Sequence, residues 1–157
     1  MNDSDLTWRA AGLGAVAGLR SMAAPAALSR AVQRGDLDGL QDTPLAALGS
    51  SKVSTLLTLF ELGELIGDKL PITPSRTSAS PLLGRAASGA LVGAALFVSG
   101  GRRPAVGGVL GAASAVAGAY AGEHLRSAGA QKLGVPDLPL AFVEDAVVLF
   151  GARRLLR

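Results

Sequence analysis

The chain has 157 residues, 49% of them hydrophobic and only 17% charged, with a mean hydropathy of +0.40. That length fits one domain, and a soluble one would carry about 25% charged residues. The hydropathy excludes a disordered chain, and the lack of Cys excludes a disulfide scaffold. Ala (29) and Gly (21) together supply 50 of the residues, while aromatics reach only 4%. Such a composition reads as all-α: one polytopic integral membrane bundle of thin helices, with an Ala-rich soluble helical domain as the alternative. The net charge of +3 does not signal nucleic acid. No Lys/Arg run exceeds two residues, and no aromatic residues interleave with them as stacking platforms. The basic excess reads as loop residues at membrane surfaces.

Five helices are expected along the chain. The first covers 6–28, with Asp3, Ser4 or Asp5 as its cap and Trp8 as an interfacial aromatic. Arg20 divides it into two uncharged halves that span a bilayer of about 30 Å only together. Pro25 removes a backbone hydrogen bond one turn later, which predicts a kink or break. A polar loop follows, and Thr43-Pro44 opens a second helix over 44–70. On its wheel Ser51, Ser54, Thr58, Glu61 and Asp68 form a polar stripe opposite Val53, Leu56, Leu59, Phe60 and Ile66. A third helix is expected over 82–99 after Ser80-Pro81. The fourth, over 105–125, holds the clearest uncharged run, and the fifth covers 138–155. The acidic start of the chain and the lack of a small-residue cleavage site argue against a signal peptide.

Glycines recur four apart at Gly14/Gly18, Gly63/Gly67, Gly89/Gly93, Gly107/Gly111 and Gly118/Gly122. In lipid, close van der Waals contact drives helix association, so these faces mark helix interfaces. Ala15-Val16-Ala17-Gly18 recurs at 115–118, and the stretch from Glu61 to Lys69 aligns with that from Asp145 to Arg153. Read together they suggest an inverted two-helix repeat, a transporter design, against chance similarity in an Ala/Gly-rich chain. With five spans, Arg9, Lys69, Arg76, Arg85, Arg126 and Lys132 fall on one side. Arg30, Arg34, Arg102, Arg103, Arg153, Arg154 and Arg157 fall on the other. This near-tie predicts weak topology specification and a homo-oligomer, with an antiparallel dimer as one form, or else a partner membrane protein.

The candidate site is set by charges that interrupt apolar helices. Arg20 sits mid-span, where a charge costs about 2.5–3.5 kcal/mol on insertion scales. It calls for an anionic ligand or an internal ion pair with Glu61 or Glu64. Glu61, Glu64 and Asp68 stand at i, i+3 and i+7 and could bind a cation or relay protons. Alternatively, Asp68 and Lys69 are helix-end charges at the interface. Glu144 and Asp145 form the acidic pair of the last helix, as symmetry mates of that cluster or as partners of Arg20 or Lys52. Tyr120 and the lone His124 read as interfacial or surface residues. Enzyme signatures are lacking: there is no Cys, no second His, no phosphate loop and no nucleophile-elbow serine. The reading is therefore a non-enzyme without metal or cofactor, and lipid-phosphate chemistry through a metal is a distant third reading. Its expected function is a small transporter or channel for an ion or polar solute, using Arg20, Glu61, Glu64, Asp68, Glu144 and Asp145. A non-catalytic accessory subunit packing through glycine faces is the alternative.

Gly18-Leu19-Arg20-Ser21 with Pro25, the run from Glu64 to Pro71, and Glu144-Asp145 resemble the bacterial membrane family known as domain of unknown function 4126. The resemblance covers nearly the whole chain. It implies a small multi-helix inner-membrane protein and brings no assigned activity. The Ser/Thr-rich loop after Pro71 departs from the family by lacking acidic residues.

Overall fold

A computed structural model describes residues 2–67, 77–133 and 137–156, with side chains of 130–133 and 137–142 outside the description. It is 84% helical, with no strand among the described residues. In chain order α1 is Asp3–Leu19, α2 is Ala23–Arg34 and a 3-10 turn covers Pro44–Gly49. Then α3 is Ser51–Gly67, α4 is Ala79–Ser99, α5 is Pro104–Leu133 and α6 is Asp137–Leu155. Two stretches, Ala79–Ser99 and Pro104–Gly129, are long and apolar enough to cross a membrane.

The N-terminal cap is Asn2, not the acidic residues expected: its side chain accepts from the Asp5 N–H, while Asp3 and Asp5 sit in the first turn. The single helix expected over 6–28 is instead two helices, broken at Arg20–Met22 rather than at Pro25. Pro25 falls in the first turn of α2, where its missing N–H costs nothing. The break is a reversal. Leu6 of α1 lies against Gly100, just past the end of α4, and Gly39 beyond α2 lies against Val98 and Ser99. Both ends of the α1–α2 pair therefore meet the same end of α4, and the tip meets Arg85. Gly35, at φ 76°, ends α2 in the left-handed conformation that suits glycine.

The helix expected over 44–70 also divides. Thr43 caps a 3-10 turn as expected, through its side chain to the Leu45 N–H, but Ser50 is extended and α3 starts only at Ser51. The third expected helix starts slightly earlier, at Ala79, and the fourth ends eight residues later than expected. In α3 Ser54 and Glu61 of the polar stripe are buried and Thr58 is half-buried, while Ser51 at its start and the apolar Leu56, Leu59, Phe60 and Ile66 are exposed. That is the reverse of a soluble amphipathic helix.

Glycine contacts fix the centre of the bundle. A methyl added at Gly14 would sit 2.5 Å from the Gly111 carbonyl oxygen, and one at Gly118 would sit 2.6 Å from that of Ala15. Gly18 meets the Ala115 carbonyl, and Gly89 and Gly93 meet Gly111 and Gly107. Backbone on backbone at these points leaves no room for a side chain. Gly14 pairs with 111–114 and Gly18 with 115–119, so α1 and α5 are parallel. Gly89 opposite Gly111 and Gly93 opposite Gly107 make α4 and α5 antiparallel. Asp145 opposite Arg20 and Leu155 opposite Gly12 make α6 antiparallel to α1.

This arrangement does not reproduce the repeat read from the sequence. The two Ala-Val-Ala-Gly copies do pack against each other, but on parallel helices, whereas α3 and α6 run in opposite directions. No single two-fold relates both pairs, and α5 runs unbroken through Tyr120 where α1 breaks at Arg20.

Candidate functional site

A helix end leaves backbone groups without intrahelical partners, and a hairpin tip inside a bundle presents two such ends at once. Here each end meets a side chain of the fitting sign, the buried Arg85 at one and the half-buried Glu64 at the other. Arg85 Nη1 donates to the carbonyls of Gly18 at 2.6 Å and Leu19 at 2.7 Å, closing the C-terminus of α1. Glu64 accepts from the Ser21 N–H at 2.8 Å and the Met22 N–H at 2.9 Å, closing the N-terminus of α2. The Ser21 hydroxyl adds a bond to Glu64 Oε1 at 2.9 Å. A cation on the carbonyl end and a carboxylate on the N–H end both complement the helix dipoles. Arg85 Nη2 and Glu64 Oε1 stand 3.8 Å apart, which links the two caps.

Arg20 occupies the reversal itself, in extended backbone at φ −140° and ψ 116°. Its Nε donates to Asp145 Oδ1 at 2.6 Å, and Nη2 reaches the same oxygen. Arg20 is 2% and Asp145 7% exposed. A charge this buried requires its partner, because either ion alone would bear a desolvation cost of several kcal/mol. Arg85 lies six residues into α4, about 9 Å from its start at 1.5 Å per residue, so the tip is well inside the bundle.

The acidic residues read as one site separate into three places. Glu64 and Asp145 converge with Arg20 at the tip. Glu61, one turn back on α3, joins α2 instead: Arg30 Nη1 donates to Glu61 Oε2 at 3.0 Å and to Thr58 Oγ1 at 3.2 Å. Glu61 Oε1 is buried without a hydrogen-bond partner. This pair edges a cleft of about 350 Å³ between α2, α3 and α6, which Arg153, Leu62, Leu149 and Phe150 also line. Glu144 lines a mainly apolar cleft of about 220 Å³ with Leu19, Leu125 and Arg126. Asp68 and Lys69 lie outside the described residues. Tyr120 is exposed, as is His124.

Of the internal ion pairs weighed for Arg20, the one with Asp145 forms, and those with Glu61 and Glu64 do not appear. The sequence does not single out two of the residues that meet these charges. Arg30 lies beyond the helix expected over 6–28, whereas α2 continues to Arg34 and carries it within the helix. Arg85 was counted among surface charges, although it is a lone cation in the apolar stretch 79–99, the signal that should have marked it as buried. Among the described residues, no group of three or more His, Asp or Glu side chains is placed to hold a metal.

Residues 8–153 match the family described as Domain of unknown function (DUF4126), and the chain belongs to that family. No curated protein and no solved structure matches it.

Proposed function

We propose that this chain is a multi-pass protein of the bacterial inner membrane that passes an ion or small polar solute by way of the charged hairpin tip. The observation that carries this reading is the reversal at Arg20–Met22, with both open helix ends held by Arg85 and Glu64 inside the bundle. In a membrane, non-helical backbone is tolerated where it is buried in protein or lines a path for solutes, and transporters place such breaks at their sites. The outward apolar face of α3 and the exposed Trp8, Val109, Leu125 and Phe150 support a lipid surround. Among the described residues six α-helices run alternately up and down, with α1 and α2 as a hairpin.

The hairpin also alters the charge balance. Arg9, Arg34, Lys52, Arg102, Arg103, Arg153 and Arg154 gather toward the end that holds Asp3 and Ser99. The end of α5 and the α3–α4 connection hold Lys69, Arg76, Arg126 and Lys132 in the sequence. Seven against four favours a cytoplasmic Arg102 end over dual insertion.

Reconstituted flux tests the reading. Liposomes with wild-type protein should leak small ions or solutes faster than empty ones, and Asp145→Asn or Glu64→Gln should change that leak. Identical leak from all of them overturns solute passage. The accessory-subunit reading draws on one observation: Gly63 of α3 faces open space between the exposed Leu59, Leu62 and Ile66. Co-purification of a stoichiometric partner helix that depends on Gly63 would favour it. The other glycine faces, on α1, α4 and α5, are occupied within the chain.

A further inference from the structure

The cleft between α2, α3 and α6 has a polarity gradient that the hairpin tip does not use. At its inner wall Glu61 is 5% exposed, with Oε2 held by Arg30 and Oε1 lacking any hydrogen-bond partner. A buried carboxylate oxygen without a donor is costly, so the geometry asks for an N–H or O–H from a molecule in the cleft. Toward its rim stands Arg153, which is exposed and makes no ion pair among the described residues. Between and beside them the walls are apolar, and Leu62, Leu149 and Phe150 are 50%, 42% and 74% exposed toward the surface the bundle turns to lipid. The volume of about 350 Å³ suits a small polar head, and the open apolar walls suit chains that continue out of it.

We propose that this cleft binds an ammonium–phosphate zwitterion, the ammonium against Glu61 Oε1 and the phosphate against Arg153, as in an aminophospholipid headgroup or free phosphoethanolamine. The ammonium supplies the donors that Glu61 lacks, and Arg153 gives the oxyanion charge-assisted hydrogen bonds. A bare anion brings Oε1 no donor, and a neutral hydroxyl gives it a weaker hydrogen bond than an ammonium does. A trimethylammonium has no N–H and leaves Oε1 unsatisfied. The proposal needs only binding and stands apart from solute passage.

The full-length protein in detergent, titrated with phosphatidylethanolamine, phosphatidylcholine, phosphatidylglycerol and free phosphoethanolamine and read by native mass spectrometry, tests it. Phosphatidylethanolamine should be retained about tenfold more tightly than phosphatidylcholine or phosphatidylglycerol. Glu61→Gln and Arg153→Gln should each erase that preference. Arg153 is exposed and makes no hydrogen bond or ion pair among the described residues, so Arg153→Gln should keep the wild-type melting temperature and separates ligand loss from misfolding. If free phosphoethanolamine binds with the same dependence on Glu61, the source is a soluble zwitterion; if only the diacyl form binds, it is lipid. Equal retention of the three lipids by wild type, or a preference unchanged in both variants, overturns the proposal.

Discussion

Arg20 and Asp145 meet across 125 residues of sequence, the Arg20 Nε donating to Asp145 Oδ1 at 2.6 Å at the point where α1 turns back into α2. The pair ties the last helix to the hairpin tip. Its position explains why a charge is tolerated in an apolar stretch: the guanidinium takes part in the reversal and is not a passenger on a continuous span.

Removing one member should therefore cost more than removing both. Asp145→Asn alone removes the carboxylate charge that the buried Arg20 guanidinium meets and should destabilise by about 3–5 kcal/mol. The combined change Arg20→Met with Asp145→Leu should recover most of that loss. Thermal unfolding in detergent, arranged as a double-mutant cycle, measures the coupling. Additive effects would remove the pair from the account of stability.

The caps make a second, local prediction. Glu64→Ala leaves the Ser21 and Met22 N–H groups without acceptors, at about 1–3 kcal/mol for the group. Glu64→Gln keeps one acceptor oxygen and should cost less. Hydrogen exchange at Ser21 and Met22 should rise in Glu64→Ala while amides in the middle of α5 stay protected. A uniform rise over the whole chain would mean that the hairpin tip has no separate role.

Glycine substitutions should divide by helix. Gly18→Ala and Gly111→Ala push a methyl into facing backbone, and overpacking of this kind costs about 1–3 kcal/mol or more. Gly63→Ala meets nothing within 4 Å and should be neutral or slightly stabilising, since Ala is the better helix former. Melting temperatures of the three variants check the contrast.

Topology is the fourth prediction. A reporter placed after Gly101 should be cytoplasmic, and one placed after Ser127 should be on the opposite face. Equal activity of both fusions would restore dual insertion.

Much of this was legible in the sequence because it rests on local properties. Composition marked the small-residue helical class, and the glycine spacing marked the faces on which α1, α4 and α5 touch. Arg20, Glu64 and Asp145 stood out because charges in apolar helices are rare. The pairing did not, since Glu61, Glu64, Glu144 and Asp145 are equally good carboxylates on a helical wheel. Only the fold gives Asp145 to Arg20, Glu64 to two backbone N–H groups and Glu61 to Arg30.

The same division applies to the chain path. Hydropathy alone made 6–28 one span, because two short apolar helices read like one long helix when only periodicity is counted. What makes them a hairpin is a long-range fact: Arg85 and Glu64, 65 and 43 residues beyond Arg20 and Ser21, hold the two freed helix ends. Backbone hydrogen bonds within a helix are specified by neighbouring residues, and so the sequence by itself determined the helical class, the Thr43 cap and the small-residue faces of α1, α4 and α5. The satisfaction of broken helix ends and buried charges depends on residues brought together by packing, and only the tertiary structure decided them.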